Sequence, residues 1–183
     1  MRLYQIDGNC LTIIKGIKML MYVNDVMIVD PTNSNFAQML MQFMFNLNTL
    51  SMVDVNGITH TLSGVAIPDG TLSLSYAVGS GYGTVTPSDY NLISYITAFP
   101  VSIISTIYTS TAISVILSTQ VFITFGIIIS EVGLLVNINI PANPPLTNAF
   151  SGTFLLTHDL VTPGVSISPL GGTLNISTVV VFS

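Results

Sequence analysis

Apolar and polar residues alternate along much of this chain, and a period of two predicts β-strands rather than helices. In 71–78, Leu72, Leu74 and Tyr76 alternate with Thr71, Ser73 and Ser75. One face of that strand should be buried and the other polar. The same reading predicts strands at 22–30, where Pro31 ends the run, and at 50–53, 58–62, 101–108, 112–117, 121–129, 133–140, 154–156, 160–162 and 173–182. Turn residues punctuate them. Asp7-Gly8, Asn56-Gly57, Asp69-Gly70 and Pro163-Gly164 supply positive φ or a fixed φ where the chain must reverse. The stretch 79–83, Gly-Ser-Gly-Tyr-Gly, is expected to be a mobile connection between strands, and 141–145 a rigid proline loop.

One segment has the helical period instead. In 34–48, Phe36, Met39, Leu40, Phe43 and Leu47 fall on one stripe, and Asn33 or Ser34 can cap the N-terminus. Met41, Met44 and Phe45 widen the apolar surface, and no residue of the segment is charged. A surface helix normally keeps a charged outer face. Two readings follow: a helix that plugs the end of a β-sandwich, or a subunit contact made by Phe36, Met39, Met41, Met44 and Phe45. Many short strands without βα alternation define an all-β antiparallel sandwich or barrel. The sequence divides into an N-terminal strand or arm segment, 1–30, and a β-sandwich domain, 31–183.

Charge changes this picture most. Charged residues are 6% of 183, against about 25% in ordinary soluble domains. The basic residues are Arg2, Lys15 and Lys18, all near the start. Phosphate backbones are bound by Lys and Arg, so no direct nucleic-acid partner is expected for the main body. Mean hydropathy is +0.75, and no charge lies between Asp89 and Glu131. That stretch is broken by Pro100 and rich in Ser, Thr and β-branched residues, which favours strands over a membrane-spanning helix. The outward strand positions carry Ser, Thr and Asn where a solitary sheet would use Lys or Glu to guard its edges. Neighbouring subunits covering those faces would explain this.

Little catalytic chemistry is visible. Cys10 is the single cysteine, which excludes an intrachain disulfide and a cysteine metal cluster. His60 and His158 are the two histidines and Glu131 is the one glutamate. Both histidines are read as satisfied structural residues before catalysts, and the acids stand singly, without a paired-carboxylate motif. The 79–83 loop has no following Lys and opens no helix, unlike a phosphate-binding loop. Neither a catalytic set, a metal nor a cofactor is expected. Asn175-Ile-Ser177 is a glycosylation sequon inside the last predicted strand.

From residue 36 on, the order of motifs carries a resemblance. A Phe-rich helix leads to Asp-Val-Asn-Gly-x-Thr-His at 54–60, then Val-Gly-Ser-Gly at 78–81 and Thr-Pro-Ser-Asp-Tyr-Asn-Leu at 86–92. Ile-Ser-Glu-Val-Gly-Leu at 129–134 and Phe-Leu-Leu-Thr-His-Asp at 154–159 precede the closing run 161–176. This order resembles virion β-sandwich proteins of phages and archaeal viruses, including penton, turret and tail-type subunits. The resemblance implies a jelly-roll-like sandwich that assembles into rings or a capsid vertex, located in the virion, with copies of itself and other virion proteins as partners and a host surface receptor as a further one. In that pattern an acid at the position of Glu131 pairs with an Arg, and here His158 stands at the Arg position. A Glu131–His158 contact is therefore expected, and a pH-sensitive one, because histidine titrates near ~6.5. Few carboxylates also suggest tolerance of pH ~3, fitting a virus of hot acidic water. The competing readings are a receptor- or carbohydrate-binding module, using Tyr82, Tyr90, Tyr95 or Tyr108 without any Trp, and a membrane-apposed protein.

Overall fold

The computed structural model describes residues 3–7, 10–14, 17–29, 33–45, 49–63, 72–140 and 150–182. Two antiparallel five-stranded sheets pack against each other as an all-β sandwich. The first runs in the order β4 (Val26–Val29), β3 (Ile17–Val23), β14 (Gly172–Phe182), β10 (Ile113–Ile123), β9 (Ile103–Tyr108). The second runs β12 (Phe150–Leu155), β11 (Ile127–Ile140), β7 (Leu72–Gly79), β8 (Tyr95–Pro100), and β13 (Asp159–Ile167) also pairs with β11. There are two further small hairpins among the described residues: β1 (Leu3–Asp7) with β2 (Cys10–Ile14), and β5 (Thr49–Val53) with β6 (Thr59–Ser63).

Period-two burial fixes the inward faces. In β14, Leu174, Ile176, Thr178 and Val180 point inward. They lie in register with Val23, Met21 and Met19 of β3 and with Val121, Thr119, Leu117 and Val115 of β10. The opposing sheet contributes Tyr76, Val78, Leu134, Val136 and Ile138 to the same core. Tyr76 also ties the layers through its hydroxyl. It donates to Leu117 O at 2.9 Å and shares a hydrogen bond with Thr178 Oγ1 at 3.0 Å. Burial pushes its ionisation up to about 12, against the opposing effect of the Thr178 bonds.

The helix α1 (Ser34–Phe45) sits against β5 and β12. Asn33 caps it, its Oδ1 accepting from Phe36 N at 3.1 Å. Asn35 is buried and reads β5 like a strand partner: Val53 N donates to its Oδ1, and its Nδ2 donates to Val53 O and Leu155 O. Phe36 and Met39 are partly buried and pack on the central core. The side chains of Met41, Met44 and Phe45 lie outside the described residues.

Several sequence expectations change. The predicted strand at 22–30 is a hairpin: Asn24 and Asp25 adopt φ of 42° and 66°, and Val23 pairs with Val26. Asn and Asp tolerate the left-handed region that a two-residue hairpin turn demands. The expected boundary at residue 30 therefore falls next to sheet strands, because β3 and β4 are part of the first sheet. The break expected at 118–120 is absent. β10 runs through Ser118-Thr119-Gln120, and the chain turns at 124–126 instead. Thr119 keeps the inward alternation despite its polarity. A strand at 95–100 was not anticipated, and β13 continues through Pro163-Gly164. That proline lies between the Leu160 and Val165 pairings, where the β11–β13 register shifts and no ladder partner is assigned to it. Asn175 of the sequon lies within β14, where its Oδ1 accepts from Gln120 Nε2. The Cys10 side chain and the 141–145 loop lie outside the described residues.

Candidate functional site

The polar centre of the molecule forms where two irregularities meet on β11. The β11–β13 register shifts between Ile129 and Glu131, and the β7–β8 register shifts between Val78 and Gly79. A bulge re-aims a side chain, and here Glu131 is completely buried under the connection from β7 to β8. On the far side of β11, β12 and β13 are separated by Leu156, Thr157 and His158. In that gap Leu156 N donates to Leu134 O, and Thr157 Oγ1 accepts from Leu134 N at 2.9 Å. This places His158, 1% exposed, beside Glu131.

Glu131 accepts four hydrogen bonds. Gly81 N (2.8 Å) and Ser94 N (2.6 Å) donate to Oε1, while Ile93 N (2.8 Å) and His158 Nε2 (3.0 Å) reach Oε2. A buried carboxylate is tolerable when donors fill its lone pairs, and three of these are backbone amides. The other imidazole nitrogen, Nδ1, lies 2.7 Å from Asp89 Oδ2. Asp89 also accepts from Thr86 Oγ1 at 2.6 Å and Thr86 N at 3.0 Å. Burial pushes the Asp89 carboxyl up, but the Thr86 and His158 hydrogen bonds outweigh it and hold its pKa below the ordinary value. With a carboxylate oxygen at each ring nitrogen, filling both bonds takes a hydrogen on each nitrogen or a proton on a carboxyl group.

The expected pair Glu131 and His158 is thus in contact at 3.0 Å, as one half of an acid–imidazole–acid clamp. Asp89, missed as a partner, sits in the Thr-Pro-Ser-Asp segment. Its Thr86-to-Asp89 spacing is the signal of a side chain closing on its own turn. The 79–83 segment, expected to be a mobile connection, is instead bound at its centre. Gly81 is buried and Ser130 Oγ donates to Gly81 O. A Cβ would come within 2.4 Å of Glu131 Oε1 at Gly79 and within 2.5 Å at Gly81. Glycine is needed there for close approach, not for mobility.

His60 belongs to a second, smaller arrangement. Asp54 Oδ1 accepts from Asn56 N and Ile58 N, both at 2.9 Å, and Oδ2 lies 3.0 Å from His60 Nε2. Burial raises the Asp54 carboxyl and the Ile58, His60 and Asn56 bonds lower it further than that, so its pKa lies below the ordinary value. The His60 ring stands edge-on to Phe150 and Phe154. The Asp-Val-Asn-Gly-x-Thr-His motif is therefore a turn clasp for β5 and β6.

Both His158 nitrogens are engaged by carboxylate oxygens, and the ring is buried. Among the described residues no group of His, Cys, Asp and Glu is placed to hold a metal ion, and no helix is long and apolar enough to cross a membrane. A shallow cleft of about 300 Å³ lies between Val55, Asn91, Tyr95, Leu135 and Thr153. The sequence matches no family model, and comparison with curated proteins and with solved structures finds no match.

Proposed function

We propose that the protein is a structural subunit of a virion, assembling with copies of itself through uncharged sandwich surfaces, as a penton, turret or tail-type component. One observation carries the self-assembly. Among the described side chains Asp25 is the single exposed charge; Asp54, Glu131 and Asp159 are buried and Asp89 is half-buried. Among the described charged side chains, Asp54, Asp89 and Glu131 are used in the clamp and the clasp. The described surface meanwhile exposes Ile103, Ile104, Ile107, Tyr108, Phe122, Phe125, Ile128 and Leu170. Scattered apolar residues are normal on a monomer, but a neutral surface with a cluster of them favours association. The virion setting rests on the resemblance in motif order. Native mass spectrometry with electron microscopy tests the reading: closed, defined oligomers are expected, and a chain that stays monomeric at every concentration would sink it.

The Tyr95 cleft favours a second reading, a carbohydrate- or receptor-binding module. An exposed tyrosine face beside the Asn91 amide and Thr153 hydroxyl suits a sugar ring. Binding on a glycan array that is lost in Tyr95→Ala would favour it over a purely structural role.

A further inference from the structure

The free edge of the first sheet has a partner surface built into its own sequence. We propose that β9 pairs antiparallel with β9 of a second copy of this chain, about a two-fold axis. This rests on the self-assembly reading above and names its seam. β10 occupies one side of β9, and no strand among the described residues occupies the other. The ladder to β10 is unbroken across six pairs, from Ile103↔Ser118 to Tyr108↔Ile113. Every residue of β9 is exposed. Ile103 (58%) and Ile107 (49%) stand on one face, and Ile104 (64%) and Tyr108 (75%) on the other. Natural edges are blunted by Lys, Pro, a bulge or a covering segment; β9 contains no Lys or Pro and no bulge.

Two features select a second copy as the occupant. A two-fold antiparallel pairing sets each residue of β9 against another residue of β9. Because the strand carries no charge, it meets no like charge, and its β-branched residues pair well with themselves. The exposed side chains of β9, counted over both sheet faces, carry on the order of 500 Å², so a β9–β9 seam is smaller than the ~800 Å² per partner of a standard interface and suits one contact within a larger assembly. An isologous contact uses the same patch twice and needs no second complementary surface.

The test compares the full chain with Ile103→Lys/Ile107→Lys, and with Ile58→Lys as a control at an exposed turn. Sedimentation gives the mass and hydrogen exchange reads residues 103–108. The wild type and the control should be dimeric or larger, with slow exchange across β9. The double variant, folded by circular dichroism, should lose at least half the mass and exchange rapidly there. Wild-type mass in the double variant would overturn the seam and leave self-assembly standing. A monomeric wild type would overturn both. Protection of 103–108 that appears only after another virion protein is added would assign the edge to a foreign strand and overturn the proposal.

Discussion

Replacing Glu131 by glutamine keeps the shape of the side chain and removes its charge. The wild-type carboxylate receives Gly81 N, Ser94 N, Ile93 N and His158 Nε2. Glutamine has one oxygen for these four groups, and its NH2 must point at one of the two pairs. If the NH2 faces Gly81 and Ser94, the buried Gly81 amide and the part-buried Ser94 amide lose their acceptor. If it faces Ile93 and His158, one amide is orphaned and the imidazole must give up a hydrogen to accept. Each buried orphan costs about 1–3 kcal/mol, and breaking a buried charged set by removing one partner costs about 3–5 kcal/mol. The larger figure applies, since an acceptor oxygen and the charge are lost together. At about 2–4 °C per kcal/mol for a chain of this size, Tm should fall by roughly 10 °C. The assay is chemical denaturation at fixed protein concentration, with hydrogen exchange resolving 79–94. Exchange should accelerate first at Gly81, Ile93 and Ser94. A variant within about 1 kcal/mol of wild type, with unchanged exchange at those amides, would refute the clamp as an organising element. Should Glu131→Gln not fold, Asp89→Asn provides the milder test at about 1–2 kcal/mol, because Asp89 lies at the partly exposed end.

Four further outcomes are expected. Gly81→Ala should cost about 3 kcal/mol by thermal melting, because its Cβ would press on both Glu131 Oε1 and Ile93 Cβ. Tyr76→Phe should cost about 1–2 kcal/mol, and an ultraviolet pH titration of the wild type should show one tyrosine resisting ionisation to about 12. The Asp54 and Asp89 pKa values are lowered in the folded state, so their stabilisation is complete above the unfolded carboxylate value of ~3.9 and is lost as pH falls through the lower folded values. Denaturation midpoints should therefore hold near neutral pH and drop below about pH 4, less steeply in Asp54→Asn. Nascent chains stalled before Gly172 should be degraded by protease in the first-sheet strands while full chains resist.

The acid limb reverses an argument made from composition. Few carboxylates suggested little to lose at low pH, but Asp54, Asp89 and Glu131 are each hydrogen-bonded inside the fold. Counting charges was informative about the surface and misleading about the interior, because a count carries no pairing. The sandwich itself was legible, since period-two burial is local: Leu174, Ile176, Thr178 and Val180 announce their face without reference to any partner. Element limits failed where polarity and geometry part company. Ser118, Thr119 and Gln120 look like a turn, yet Thr119 is buried in an unbroken ladder. Conversely, Asn24-Asp25 looks like the middle of a strand and forms the turn. For the clamp, the Glu131–His158 contact came through motif order alone. Asp89 could not be found from spacing, since 69 residues separate it from His158. Only the return of the chain across β11 brings them together.

The position of β14 has a consequence for when the first sheet can form. Gly172–Phe182 lies in the middle of the first sheet, with β3 on one side and β10 on the other. During synthesis β3, β9 and β10 leave the ribosome long before the strand that unites them. Until it arrives, the β9 edge has no finished sheet behind it, and long-range pairings of this kind form late. Completion of the sheet then acts as a timer: the first sheet is finished only once Gly172–Phe182 has joined β3 to β10.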